Sequence, residues 1–215
     1  MSAAKRTYSS PLRDEAARRT RTTIRNAAAT LFERSGYVST TVKQIAAEAG
    51  VAVRTVFTAF PEGKAQLFRE ALDAAVTGDA ADADLGAPGS PQSRSPRASG
   101  AAAAVIDQVV GYGAAMLERA GGLLITSIES SGADPDMLRF AEDDARATAE
   151  NARTLAEGLH RSGWLRTDVT VDHAADVLYT LSSPQVHALL RRDCGWDVDR
   201  YRTWLADTLR TTLLR

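Results

Sequence analysis

Apolar residues recur along most of the chain at the three- and four-residue steps of a helix, and nowhere alternate as a strand would. The first clear stripe is Ile24, Ala27, Ala28, Leu31 and Phe32, with Gly36 placed to end it. Thr40 and Thr41 then offer N-caps to a short second helix whose inward face is Val42, Ile45, Ala46 and Ala49. Gly50 closes that helix. A third short helix turns Val53, Val56 and Phe60 inward and stops at Pro61. A fourth starts near Glu62–Lys64 and buries Leu67, Phe68, Ala71, Leu72 and Ala75.

Residues 78–100 break the pattern. They hold three of the seven prolines, four glycines and almost no bulky apolar side chain, so a disordered linker or loop is expected there, open to trypsin at Arg94 or Arg97. Helical periodicity then returns over roughly 101–119, 121–131, 135–162, 170–191 and 197–214, with Asp134-Pro135 reading as an N-cap followed by Pro at the first helical position. The expected organisation is all-α: a flexible basic arm at 1–14, a three-helix head with a helix-turn-helix at 15–62, a connecting helix at 63–77, the linker at 78–100, and a larger helical body at 101–215.

Charge sharpens this division. The chain as a whole has a formal net charge of −1. Residues 1–64, however, carry 11 Lys and Arg against 5 Asp and Glu, whereas residues 65–215 carry 15 against 22. A basic head on an acidic body suits a phosphate-binding module joined to a domain with another task. No apolar run reaches the ~20 residues of a membrane span, and Met1 to Ser10 lacks the apolar region of a secretory signal, so no membrane association is expected. A single cysteine, Cys194, excludes an internal disulfide and fits a reducing cytoplasm.

Two short helices joined by a glycine-containing turn behind a longer first helix make a helix-turn-helix. The second short helix lies in a major groove while helix ends and basic side chains hold phosphates. Ala28-x-x-Leu31-Phe32, Gly36-Tyr37, Thr40-Thr41-Val42-x-x-Ile45-Ala46, Ala49-Gly50-Val51, Thr55-Val56-Phe57-x-x-Phe60 and Lys64-x-x-Leu67-Phe68 together resemble the DNA-binding domain of TetR-family repressors, over about residues 15–75. The resemblance implies a homodimer with operator-binding heads and helical bodies that take a small molecule and dimerise through their last two long helices. With two heads one helical turn of DNA apart and the fourth helix linking head to body, a repressor released from a palindromic operator by its effector is expected. No nucleophile-base set is legible, so no enzymatic activity is expected, nor any cofactor or metal. Ala52, Phe57 and Ala59 depart from commoner polar residues, each removing a polar contact.

The expected DNA contacts are Thr41, Lys43, Arg54, Thr55, Phe57, Thr58 and Lys64, with Arg54 as base reader and Thr41 and Lys64 on phosphate. Lys5, Arg6, Arg13, Arg18, Arg19 and Arg21 are expected to supply diffuse attraction to DNA. Tyr112, Met116, Ile125, Phe140, Leu178 and Tyr179 are the expected lining of an effector pocket, whose ligand is taken to be apolar or aromatic. Leu178, Leu181, Val186, Leu189, Trp204 and Leu209 are the expected dimer interface. The run Glu142-Asp143-Asp144, between Arg139 and Arg146, reads as a solvated, salt-bridged face. His160, His173 and His187 have no metal-ligand spacing. An activator, a ligand-promoted binder, a helical thiol hydrolase using Cys194 and a non-DNA-binding adaptor remain the alternatives.

Overall fold

In the computed structural model, which describes residues 11–78 and 98–215, every described element is helical and no strand forms. The elements are α1 (Pro11–Ser35), α2 (Val42–Glu48), α3 (Val53–Ala59), α4 (Lys64–Thr77), α5 (Ala98–Ser130), α6 (Pro135–Arg161), α7 (Val171–Leu181), α8 (Pro184–Ala188) and α9 (Val198–Leu213), with a π-helical turn at Leu189–Asp193. They fall into two compact units that divide within α4, between Ala71 and Leu72. The expected linker at 78–100, with its trypsin sites, lies largely outside the described residues, as does the arm up to residue 10. Residues 11–14 of that arm are helical, because α1 begins at Pro11.

The head is built on an aromatic trio. Phe32, Tyr37 and Phe68 meet with ring centroids 5.2–5.6 Å apart, and Ile24, Ala28, Ile45, Val56, Phe60 and Leu67 are buried with them. Gly36 (φ +75°) ends α1, and Gly50 (φ +65°) makes the turn between α2 and α3. A side chain at either would be strained in that left-handed backbone. The buried Thr40 hydroxyl donates to the carbonyls of Leu31 and Gly36, pinning the turn that leads into α2. Arg21 departs from its expected role as a DNA-attracting charge. Its guanidinium pairs with Glu70, bonds the Ala59 carbonyl and lies 4.2 Å above the Phe60 ring. It ties α1 to α4 and to the end of α3.

In the body, α5 packs against α6, α8 and α9, and α7 against α6 and α9. Residues 101–119 and 121–131 were expected to be separate helices, yet α5 runs unbroken through Gly121-Gly122. The reason is packing. A Cβ at Gly121 would sit 3.3 Å from His187 Nδ1, so the glycine admits a neighbouring ring rather than capping a helix. Conversely, the expected helix 170–191 is broken, because the Ser183 hydroxyl caps a new start with Pro184 at its first turn.

A correction concerns membranes. Gly100–Ser130 reaches a mean hydropathy of 1.3 and is, by length and composition, long and apolar enough to cross a bilayer. Its stripe Ala102, Ile106, Val110, Ala114, Leu117, Ala120 and Leu124 is instead buried within this unit, which makes α5 the core helix of the body. Leu178 and Leu209 also differ from expectation. Both are buried in the body's own core, 2% and 0% exposed, and are therefore withdrawn from any dimer interface.

A clamp holds α5 to the C-terminal helices. Arg191 grips Glu118 with two bonds of 2.6 and 2.7 Å, and His187 Nε2 lies 2.8 Å from the same carboxylate. The His187 ring stands edge-on to Tyr201 at 5.0 Å. Burial pulls His187 below its usual range, outweighing the opposite pull of Glu118. The bonds from Arg191 hold the Glu118 carboxyl low.

Two outcomes follow from this packing. Gly158→Ala on α6 meets nothing within 4 Å and should stabilise by about 1 kcal/mol through helix propensity. Gly121→Ala should lose that gain against the clamped imidazole, and thermal melts of both at one protein concentration compare them. The depressed His187 means that the unfolded chain takes up a proton the folded chain refuses. Its stabilising contribution is present above about pH 6.5 and is lost as pH falls through the folded value. Melting midpoints should therefore fall between pH 7.5 and 5 in the wild type and fall less in His187→Gln; parallel curves would defeat this.

Candidate nucleic-acid interface and body cavity

The third helix presents two unlike faces. Val56 is buried together with Phe60 just beyond the helix, while Val53, Arg54, Phe57 and Thr58 are exposed and Thr55 is half-buried. Val53, expected to face inward, is 40% exposed, and Phe57 is 49% exposed. A helix of seven residues that leaves an arginine, two threonines and two apolar side chains outside its core offers both hydrogen-bonding and methyl-contacting groups. The Thr58 hydroxyl donates to the Arg54 carbonyl and keeps its lone pairs as acceptors. Ala52 sits at the N-cap and makes no side-chain cap bond, as its side chain requires.

Before it, Thr41 caps α2 in a capping box. Its hydroxyl accepts from the Gln44 N–H, and the Gln44 side chain accepts from the Thr41 N–H at 2.8 Å. Thr41 and Lys43 are both exposed. Lys64 is placed differently from expectation. It is half-buried, its ammonium donating to the Tyr37 carbonyl at 3.0 Å and lying 4.0 Å from the Tyr37 ring centroid. It therefore braces the turn after α1 from the first position of α4. Arg18 and Arg19 both pair with Glu15 on the exposed side of α1.

In the body, a cavity of about 190 Å³ opens between α5, α6, α7 and α9. Tyr112, Met116 and Leu178 line it as expected residues; Tyr179 lines a second cavity of about 260 Å³. Ile125 and Phe140 line neither. Sequence reading missed Asp144, Thr148, Asn151 and Leu155, which descend one face of α6 into the first cavity. Their spacing of four, three and four was legible as a helical face, but its polar members concealed that the face is inward. Asp143, by contrast, pairs with Arg146 on the outer side, as expected of the acidic run.

Of the remaining residues expected at a dimer interface, Leu189 is 53% exposed and Leu181, Val186 and Trp204 are half-buried. Among the described residues, no group of histidine, cysteine or carboxylates has the arrangement of a metal site. Cys194 is exposed.

Residues 24–71 match the model for bacterial regulatory proteins of the tetR family. No curated protein matches the chain. A TetR transcriptional regulator from Chloroflexus aurantiacus is 21% identical, with a TM-score of 0.67 over 93% of this chain and 98% of that one. NalD of Pseudomonas aeruginosa, the secondary repressor of the MexAB-OprM multidrug efflux pump, is 24% identical, with a TM-score of 0.62 over the same shares. A regulator from Saccharomonospora viridis in complex with choline is 20% identical, with a TM-score of 0.66 over 92% and 99%. At these identities the structures show a common fold, and the family match is confined to the helix-turn-helix head. Residues 24–71 thus carry the helix-turn-helix of the tetR family, and the fold is the one these TetR regulators share.

Proposed function

We propose that the protein is a cytoplasmic repressor that binds a pseudo-palindromic operator as a homodimer and is released by a small molecule held in its body. The observation that carries the DNA side is the exposed face of α3, where Arg54, Phe57 and Thr58 stand clear of the core formed by Val56 and Phe60. Arg54 reads a guanine, Thr55, Phe57 and Thr58 complete the contact in the groove, and Thr41 and Lys43 hold phosphate. Lys64 is retained as a phosphate contact made alongside its brace on Tyr37. Two heads reach successive major grooves when they stand about 34 Å apart, one turn of the duplex.

Release follows from a shared wall. Met116, Leu117 and Leu124 line the first cavity, and Leu117 and Leu124 also form a cluster with Leu72, Ala75 and Val76 of α4. Arg119 bonds the Ala75 carbonyl at 3.1 Å across the same contact. A ligand that displaces this wall shifts the end of α4, and α4 is the helix in which the two units divide. The loss of DNA affinity equals the ligand's differential affinity for the two states and no more. Choline in the Saccharomonospora structure is a precedent for a small organic ligand on this fold.

The dimer is assigned to Leu181, Val186, Leu189 and Trp204. Leu189→Lys should convert a dimer into a monomer by light scattering at micromolar concentration, and a monomeric wild type would end the palindrome argument. On DNA, Arg54→Ala should cost about 1–3 kcal/mol on the operator and much less on random duplex. Lys43→Ala should weaken both alike and reduce the salt slope by about 1. Lys64→Ala should do the same and also lower the melting midpoint of the head. Equal losses on both DNAs for Arg54→Ala would make Arg54 a phosphate clamp.

A further inference from the structure

Among the described residues, Tyr201 and Asp144 are polar groups of the body cavity without a partner, and they differ in kind. Tyr201 is fully buried, lines the cavity, and no group among the described residues hydrogen-bonds its hydroxyl. Burial and the charge of Glu118 push it up to about 12, so it stays protonated and offers both a donor and acceptor lone pairs. Among the described residues, Asp144 is the only charged side chain lining the cavity. No ion pair among the described residues neutralises it, and its burial raises its carboxyl above the ordinary range.

The position of Asp144 adds to this. Asp144, Thr148 and Pro184 line both cavities, so the carboxylate stands where the two meet. The second cavity contributes Glu142 and no basic group. The arginines of α6 at positions 139, 146 and 153 are exposed and engaged with Asp136, Asp143, Glu157 and Asp172 on the other side of the helix. A ligand entering this site meets negative charge at the junction, largely apolar walls below it and the unpartnered Tyr201 hydroxyl, with Thr148, Asn151 and Ser182 as further polar groups. An anion would be repelled there, and a wholly apolar ligand would leave the carboxylate and hydroxyl unsatisfied.

Size narrows the class. An apolar protein cavity of about 150 Å³ holds benzene, so about 190 Å³ takes one aromatic ring with a short side chain. We propose that this cavity binds a single-ring aromatic amine, its cationic nitrogen against Asp144 and a hydrogen-bonding ring substituent at the Tyr201 hydroxyl. The inference rests on the reading of the body as the effector site and names the chemistry of that effector.

Three probes with one hydroxyphenyl ring and different charge test it: tyramine, 4-ethylphenol and 3-(4-hydroxyphenyl)propanoate, titrated calorimetrically into the full chain. Tyramine should bind at least about tenfold more tightly than 4-ethylphenol, the range of a charge-assisted bond, and the propanoate should bind most weakly. Asp144→Asn should bring tyramine to the level of 4-ethylphenol while changing 4-ethylphenol little; Tyr201→Phe should weaken all three. The wild-type order of the probes stands as a test even where a variant fails to fold. Equal binding of tyramine and 4-ethylphenol, no binding of tyramine, or tyramine binding untouched by Asp144→Asn in a folded variant overturns the proposal. Adding each probe to the DNA complex separates the two readings. Tyramine that binds without releasing DNA keeps the amine site and defeats ligand release, whereas release by the propanoate without tyramine binding does the reverse.

Discussion

The body depends on one constraint: α5 must bury apolar side chains on more than one side while remaining unbroken for 33 residues. Small residues make this possible. Ala102, Ala114, Ala120 and Gly121 let α6, α8 and α9 approach, while Ile106, Val110, Leu117 and Leu124 fill the spaces between them. The two glycines at 121 and 122 cost helix propensity, about 1 kcal/mol each, and Gly121 returns it by admitting His187 against the helix. His187 in turn shares Glu118 with Arg191. The clamp is thus possible only because α5 lacks a side chain one turn after the carboxylate it presents.

The head meets a different constraint. Its recognition segment is too short to be stable alone, since an isolated helix needs about 12–15 residues to persist in water. Val56 and Phe60 anchor α3 from one side, and Arg21 holds the carbonyl of Ala59 at its end. Anchoring at the C-terminal end leaves the N-terminal turn, with Arg54, available. The uncapped Ala52 weakens that same turn. Rigidity in this head is concentrated away from the surface proposed to meet DNA.

Much of this was legible in the sequence, and the failures share a cause. The spaced set from Ala28 to Phe68 specified the head because short helices leave few ways to bury Ile45, Val56, Phe60 and Leu67 together. In the body, residue type alone did not tell which apolar residues serve the chain's own core. Leu209, and Leu178 in its second expected role at the dimer interface, read as surface seams and are core, while Leu189 is exposed. Glycine in α5 read as a break and proline at 184 did not, although tertiary packing preserves the first helix and the Ser183 cap starts a new one at the second. Lys64 and Arg21 read as charges for DNA because their partners, Tyr37, Glu70 and Ala59, lie 27 to 49 residues away in sequence.

Asp144 shows the limit most clearly. Beside Glu142 and Asp143 it looks like one more solvated charge, and only the direction of the α6 face distinguishes it. Its inward placement has an energetic consequence for a regulator. A half-buried carboxylate without a cation and a buried hydroxyl without a partner both disfavour the ligand-free body, by about 1–3 kcal/mol for an unsatisfied group. Under the proposed reading, binding that satisfies them recovers this energy in addition to the apolar contact, so the free body stores part of the affinity for its ligand as local destabilisation. Met116, Leu117 and Leu124 form the opposite wall, and the same side chains or their neighbours contact α4. In that reading, rearrangement driven by relief of those polar groups is transmitted through an apolar wall, which resists compression and moves as a packed unit. In the proposed reading the polar groups select the ligand, and the apolar wall carries its effect to α4.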